Sequence, residues 1–206
     1  MSNSNERTGK SVINPFDRGY YSSDELRTFG FYGVGENVKI AKNCTIIGLS
    51  NITIGSNVRI DGNVVIAAYS GALSLGSFIH IGEGCYLGCA GTIVMGDFSG
   101  LSQGVRIYSG TDDYSGQALT NPTVPHQYLN VHIAPVRLGR HVIIGSGSVI
   151  LPGVTIGEGS AVGALSLVTK SLDDWGIYSG VPVKRLKSRS RKLLELENDL
   201  LNKDMS

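Results

Sequence analysis

Residues 138–168 read LGRHVIIGSGSVILPGVTIGEGSAVGALSLV. An aliphatic residue returns at every sixth position without a slip: Leu138, Ile144, Ile150, Ile156, Val162 and Val168. Glycine often follows directly, as at Gly139, Gly145, Gly157 and Gly163. A small or β-branched residue stands four places on: Val142, Ser148, Val154, Ser160 and Ser166. This period fits neither a helix, with about 3.6 residues per turn, nor a sandwich, with turn signals roughly every 8–12 residues.

The same period covers the earlier chain in threes. The triplets are Val34, Ile40, Ile46; Ile54, Ile60, Ile66; Leu75, Ile81, Leu87; and Met95, Leu101, Ile107. Within each triplet the spacing is six, and between them it widens to eight or nine. A prism with three flat faces accounts for both spacings. Each face is a short strand, and the extra residues bulge at one recurring corner. Successive coils pair as parallel strands about 4.8 Å apart. The reading is an all-β chain forming a parallel β-helix of about six coils.

Three segments depart from the pattern. Ser22 and Glu25 stand three apart before Leu26, a capping box that starts a short helix to about Thr28, stopped by Gly30. Residues 108–135 form a long inserted loop rich in Asp, Thr, Asn, Pro and Tyr, and loops of that length inside a repeat are usually functional. From about Val183 the pattern turns helical, with an apolar stripe at Leu193, Leu196, Leu200 and Leu201. The expected organisation is an arm with a short helix over 1–33, the prism over 34–182 and a helical tail over 183–206.

Composition sets further bounds. Glycine supplies 28 of 206 residues, which argues against a helical bundle. Eighteen basic against 17 acidic residues exclude an overall basic grip on nucleic acid. Residues 63–82 lack formal charge but alternate too regularly, with too much Gly, Ser and Asn, for a membrane span. Met1 to Lys10 is polar and does not read as a signal peptide. Three cysteines, Cys44, Cys85 and Cys89, fit a reducing cytoplasm better than a disulfide scaffold or a zinc site. The four histidines show no metal-ligand spacing, so no metal is expected.

The runs Val142–Val154 and Ile156–Ala164, with the later Gly180-Val181-Pro182-Val183-Lys184, resemble the hexapeptide-repeat acyltransferases. The resemblance covers nearly the whole chain. It implies a left-handed β-helix, a homotrimer and an acyl-CoA donor. Tyr20-Tyr21-Ser22, Asp112-Asp113-Tyr114-Ser115-Gly116 and Leu172-Asp173-Asp174-Trp175 further resemble the subgroup that acylates the amino group of dTDP-4-amino-4,6-dideoxyglucose for anthrose. What that implies is transfer of an acetyl or short acyl group to the amine of a nucleotide-linked amino-dideoxysugar, for a surface glycan. The alternative is a sugar O-acetyltransferase with a histidine base, His126 or His80.

Many sugar O-acetyltransferases of the family place a histidine where this chain has Asp112. A sugar hydroxyl needs a base near neutral pKa, and a carboxylate near 3.9 is poorly matched to it. A sugar amine with a pKa of about 8 is already about a tenth neutral at pH 7. A carboxylate then need only orient the amine and take its proton. The resemblance places Asp112 and Ser102 at the reacting amine. Read from residue type alone, Asp112 opens a turn and Ser102 satisfies a corner.

Substrate contacts are expected from Asp113, Tyr114, His80 and His126. Tyr108, Tyr128 and Trp175 are further candidates to stack on a base or sugar. The resemblance implies a pantetheine groove along exposed backbone at Gly145, Ser146 and Ala164. Lys184, Arg185, Lys187, Arg189, Arg191 and Lys192 place six cations in nine positions. At the start of a helix they oppose its dipole, so a compensating ligand is expected. Coenzyme A phosphates fit Lys184, Arg185 and Lys187, with Lys170 nearby. The bland alternative for this run is a solvated basic face.

Overall fold

A computed structural model of the chain describes residues 14–203. The polar stretch Met1 to Lys10 lies outside the described residues. The triplets fall on three faces, as the spacing predicts. Face I carries Ile40, Ile60, Ile81, Leu101, Ile144 and Val162 in parallel register. Face II carries Ile46, Ile66, Leu87, Ile107, Ile150 and Val168. Face III carries Val34, Ile54, Leu75, Met95, Leu138 and Ile156. Most of these aliphatic side chains are buried, several at 0% exposure, and together they form one continuous core. Their neighbours point outward, so each short strand alternates core and surface.

The coil count needs correction. Face I continues past Val162 to a seventh parallel strand, Gly176–Ser179, with Tyr178 beside Val162. Leu172 bridges Ile156 on face III. The stack therefore has about seven turns rather than six. Tyr178 was missed because it is aromatic and follows a spacing that slips from six to four at Leu172.

Face I has nine strands, because each end is closed by a reversed strand. At one end Tyr20–Tyr21 pairs antiparallel with Lys39–Ala41. At the other, Lys184–Ser188 pairs antiparallel with Gly176–Ser179. This corrects the helical tail expected from Val183. Only Leu193–Lys203, here α2, is helical. The cations Lys184, Arg185 and Lys187 therefore sit on an edge strand and oppose no helix dipole. The N-terminal helix α1, Ser23–Arg27, forms where the capping box placed it. Ser22 accepts from the Glu25 amide, and Glu25 accepts in return from the Ser22 amide.

One corner carries a column of left-handed residues, three places after each aliphatic residue of face III. Asn37, Asn57, Phe78, Phe98, His141, Gly159 and Trp175 all have φ between 53° and 67°. Their side chains stack along the prism. Phe78 lies flat on Phe98 with ring centres 4.6 Å apart, and Phe98 on His141 at 5.2 Å. Gly159 must lack a side chain, because a Cβ there would meet the Trp175 ring at 2.4 Å.

The long loop grows from the corner between faces II and III, where earlier coils carry their extra residues. An antiparallel pair, Gly110–Thr111 with His132–Ile133, closes its neck.

Candidate active site

Inward residues of face I leave a line of outward positions. Register places Arg59, His80, Gly100 and Ile143 side by side, with Asp61 and Ser102 two residues further along their own coils. Asp61 collects three donors. His80 Nε2 lies 2.7 Å from its Oδ2. Arg59 Nε and the Tyr20 hydroxyl donate to Oδ1 at 2.7 and 3.0 Å. Arg59 also reaches the Tyr20 hydroxyl and lies over its ring. Burial opposes ionisation of Asp61, but the bonds from His80, Arg59 and Tyr20 together outweigh it and hold the carboxyl below its ordinary range.

His80 and Ser102 line one groove of about 600 Å³. Its floor is Gly100, Ile143 and the Phe78–Phe98–His141 stack. Its far wall is Leu193, Leu196, Glu197 and Leu200 of α2. A second, more polar groove of about 300 Å³ is lined by Arg18, Tyr20, Arg59, Asp61 and Glu83. Gln103 lines both and is the junction between them. Ser102 is pinned by its backbone: its amide donates to Ile144 and its carbonyl accepts from the Cys85 thiol at 3.1 Å. Among the described residues nothing occupies its hydroxyl.

Asp112 is elsewhere. It is the first residue beyond Gly110–Thr111, exposed, at the corner between faces II and III. The strand Arg106–Tyr108 of face II separates it from Ser102. One chain therefore does not bring Asp112 into the Ser102 groove. Asp113 organises the loop: its carboxylate accepts from the amides of Ser115, Gln117 and Ala118. Those contacts lower its pKa, the Ser115 bonds first. Tyr114 is 93% exposed, and His126 lies in a single exposed turn, His126–Tyr128, of the same loop.

The pantetheine positions divide. The Gly145 amide is already bonded to the Val162 carbonyl, and a Cβ there would meet the Ala164 nitrogen at 2.4 Å. Gly145 therefore offers close approach rather than an amide donor. Ser146 bonds Gln103 through its hydroxyl, and Ala164 is exposed at the next coil. Among the described residues neither the Ser146 nor the Ala164 amide is engaged. Lys170, Lys184 and Arg185 are exposed, and Arg185 donates to the Ser188 hydroxyl. Arg189 is a clamp on the fold instead. It donates to the carbonyls of His141 and Gly159, and burial lowers its pKa. Arg191 lies over the Trp175 ring. Trp175 is buried at the corner, so it is no stacking platform for a ligand. Tyr108 packs beside Tyr86. Burial raises the thiol pKa of Cys85 to about 11 and of Cys89 to about 12, so neither is a nucleophile.

Tyr20, Arg59, Asp61 and Gln103 were missed in the sequence. Arg59 and His80 both sit just before the last aliphatic residue of a face I strand, and that shared place in the repeat was the available signal.

Residues 130–170 match the family model for the bacterial transferase hexapeptide, six repeats. Over 179 residues the chain is 42% identical to the dTDP-4-amino-4,6-dideoxy-D-glucose acyltransferase of Escherichia coli, covering 87% of this chain and 93% of that one. The chain belongs to the hexapeptide-repeat acyltransferase family. Its prism is that family's left-handed β-helix. A crystal structure of AntD, an N-acyltransferase from Bacillus cereus, in complex with dTDP and 3-hydroxybutyryl-CoA, superposes with a TM-score of 0.87 at 47% identity. The match covers 92% of this chain and all of that one. A more distant relative is the protein of E. coli K12 named "Putative colanic acid biosynthesis acetyltransferase WcaF", 31% identical over 70% of this chain and 73% of that one. In this family member no described helix is long and apolar enough to cross a membrane.

Proposed function

We propose that the chain transfers an acetyl or short acyl group from acyl-CoA to the amino group of a nucleotide-linked amino-dideoxysugar, as a cytoplasmic homotrimer serving surface-glycan synthesis. The full-length likeness to AntD carries this reading. Structures of that enzyme include one with dTDP-4-amino-4,6-dideoxyglucose and coenzyme A. They also include variants at a serine and at an aspartate ten residues further on, the separation of Ser102 and Asp112 here.

In a trimer, the Asp112 loop of one chain meets the Ser102 groove of the next. Asp112 orients the sugar amine, and the amine attacks the thioester directly, without an acyl-enzyme. The carboxylate takes the amine proton as the tetrahedral intermediate forms. An unengaged amide such as that of Ser146 or Ala164 suits the pantetheine arm. A preorganised N–H at the oxyanion contributes about 3 kcal/mol in comparable sites. Lys184, Arg185 and Lys187 form an exposed cationic edge suited to coenzyme A phosphates.

A thiol-release assay over amino and hydroxy nucleotide sugars, with acetyl-CoA and longer donors, tests the reading. Release with an amino sugar supports it. Release only with hydroxy sugars favours O-acylation, for which the Asp61–His80 pair would be the base. Neutralising Lys184, Arg185 and Lys187 should weaken CoA binding and flatten its salt dependence, while an unchanged affinity would remove the phosphate role.

A further inference from the structure

The N-acyl reading assigns no group to return a proton to sulfur. When the C–N bond forms and the C–S bond breaks, the sulfur departs as a thiolate, and a thiol of pKa about 8.5 has to be restored at neutral pH. Asp112 faces the amine and is a carboxylate, so it suits proton removal rather than donation. A donor should be a side chain able to give up an N–H proton, held beside the groove.

His80 meets that description. Its side chain is half exposed, at 52%, and lines the groove that Ser102 lines. Its Nε2 is fixed by Asp61, whose own side chain is only 15% exposed. The carboxylate is in turn locked by Arg59 and Tyr20. Donation calls for the doubly protonated ring, which can give one N–H to a carboxylate and keep the other for a substrate. With Nε2–H directed at Asp61, the ring's other N–H is the one free to be given away. Among the described residues, the other charged or titratable groups around His80 are Lys39 and Arg59 on the same face, Asp17, Arg18 and Glu83 in the adjoining groove, and His141, Arg189 and Glu197 across the groove.

We infer that His80, positioned by Asp61, donates the proton that converts the departing coenzyme A thiolate into the thiol. The step rests on the N-acyl reading. The amine lone pair forms the C–N bond, and the C–S electron pair leaves on sulfur. The amine proton passes to Asp112 of the adjoining chain, and the His80 Nδ1 proton passes to sulfur. Solvent then reprotonates His80 and takes the proton from Asp112. His80 touches the reacting sulfur; Asp61 is a positioning residue that acts through it.

The test compares wild type, His80→Gln and Asp61→Asn over pH, with saturating nucleotide amino sugar and acyl-CoA. His80→Gln should lower kcat about 100-fold and abolish the basic limb of its pH profile, with calorimetric affinities for both substrates unchanged. Asp61→Asn should lower kcat about tenfold, and adding it to His80→Gln should cost little more than His80→Gln alone, because Asp61 acts through the ring. An aryl thioester donor, whose thiol needs no proton to leave, should bring the rates of wild type and His80→Gln together. An unchanged kcat in His80→Gln, or a loss confined to substrate affinity, would overturn the inference. If His80→Gln fails to fold, the donor comparison in Asp61→Asn decides, and a rate deficit that the aryl thioester does not narrow overturns it. If wild type releases no thiol with any amino sugar, the N-acyl reading has failed, and this step falls with it.

Discussion

The Nε2 atom of His141 lies 2.9 Å from Oε2 of Glu197, and both side chains are almost fully withdrawn from water. Arg140 holds the other oxygen of the same carboxylate. Helix α2 is therefore seated on the prism by a charge, whereas Leu196 stays 63% exposed. Of the apolar stripe expected in the sequence, Leu193, Leu196 and Leu200 face the groove rather than a packed core, while Leu201 does not line it. Breaking a buried pair from one side leaves the other partner uncompensated, at a cost of about 3–5 kcal/mol. Glu197→Ala should release α2 selectively. Amide exchange over 193–203 should accelerate by two orders of magnitude or more, while the strands of face I keep their protection.

Asp112 and Ser102 sit on opposite sides of face II in one chain. Asp112→Asn should lower kcat about 100-fold with CoA affinity intact. In the proposed trimer the complete site draws on two chains, so assemblies mixed from Asp112→Asn and Ser102→Ala protomers should regain part of the lost activity. Kinetics on co-expressed, doubly tagged trimers would show it, and no recovery would place both residues in one protomer's site.

Gly159 stands in the left-handed column with the Trp175 ring in the space of its missing side chain. Gly159→Ala adds overpacking, roughly 1–3 kcal/mol, to the strain of an alanine at φ +67°. A loss of about 3 kcal/mol in urea melts is expected. Pairing it with Trp175→Leu should recover part of that loss, since the two sites share the same space.

Asp61 ties acid sensitivity to the groove. Its carboxyl is held below the ordinary value, so its contribution to stability is present above about pH 4 and is lost as pH falls through the lower folded value. Asp61→Asn should flatten that part of the stability profile. Denaturation midpoints at pH 6 and pH 3 should differ less in the variant than in wild type.

Much of the prism was legible because a buried aliphatic at every sixth position admits few arrangements. Ile60, Ile81 and Leu101 fell on face I as counted. The helix α1 was legible through Ser22 and Glu25, whose reciprocal bonds are local. The reversed strand Lys184–Ser188 was not. A row of exposed cations carries no burial period, and its pairing with Gly176–Ser179 depends on where the coil happens to end. The site divides along the same line. His80 could be set on an outward position by counting coils, whereas Ser102 entered only through the family resemblance. The bonds that make Asp61 the hub of its cluster join Tyr20, Arg59 and His80 across three strands, and only the register reveals them.

A molecule assembled from near-identical rungs has no inherent length. Its terminal rungs would template further copies, much as the growing tip of a fibril does. On face I, Tyr20–Tyr21 and Lys184–Ser188 run against the grain at opposite ends. Each offers an incoming parallel rung the wrong polarity, and the second adds a row of like charges. These two short segments let a repetitive sequence remain a discrete, countable particle.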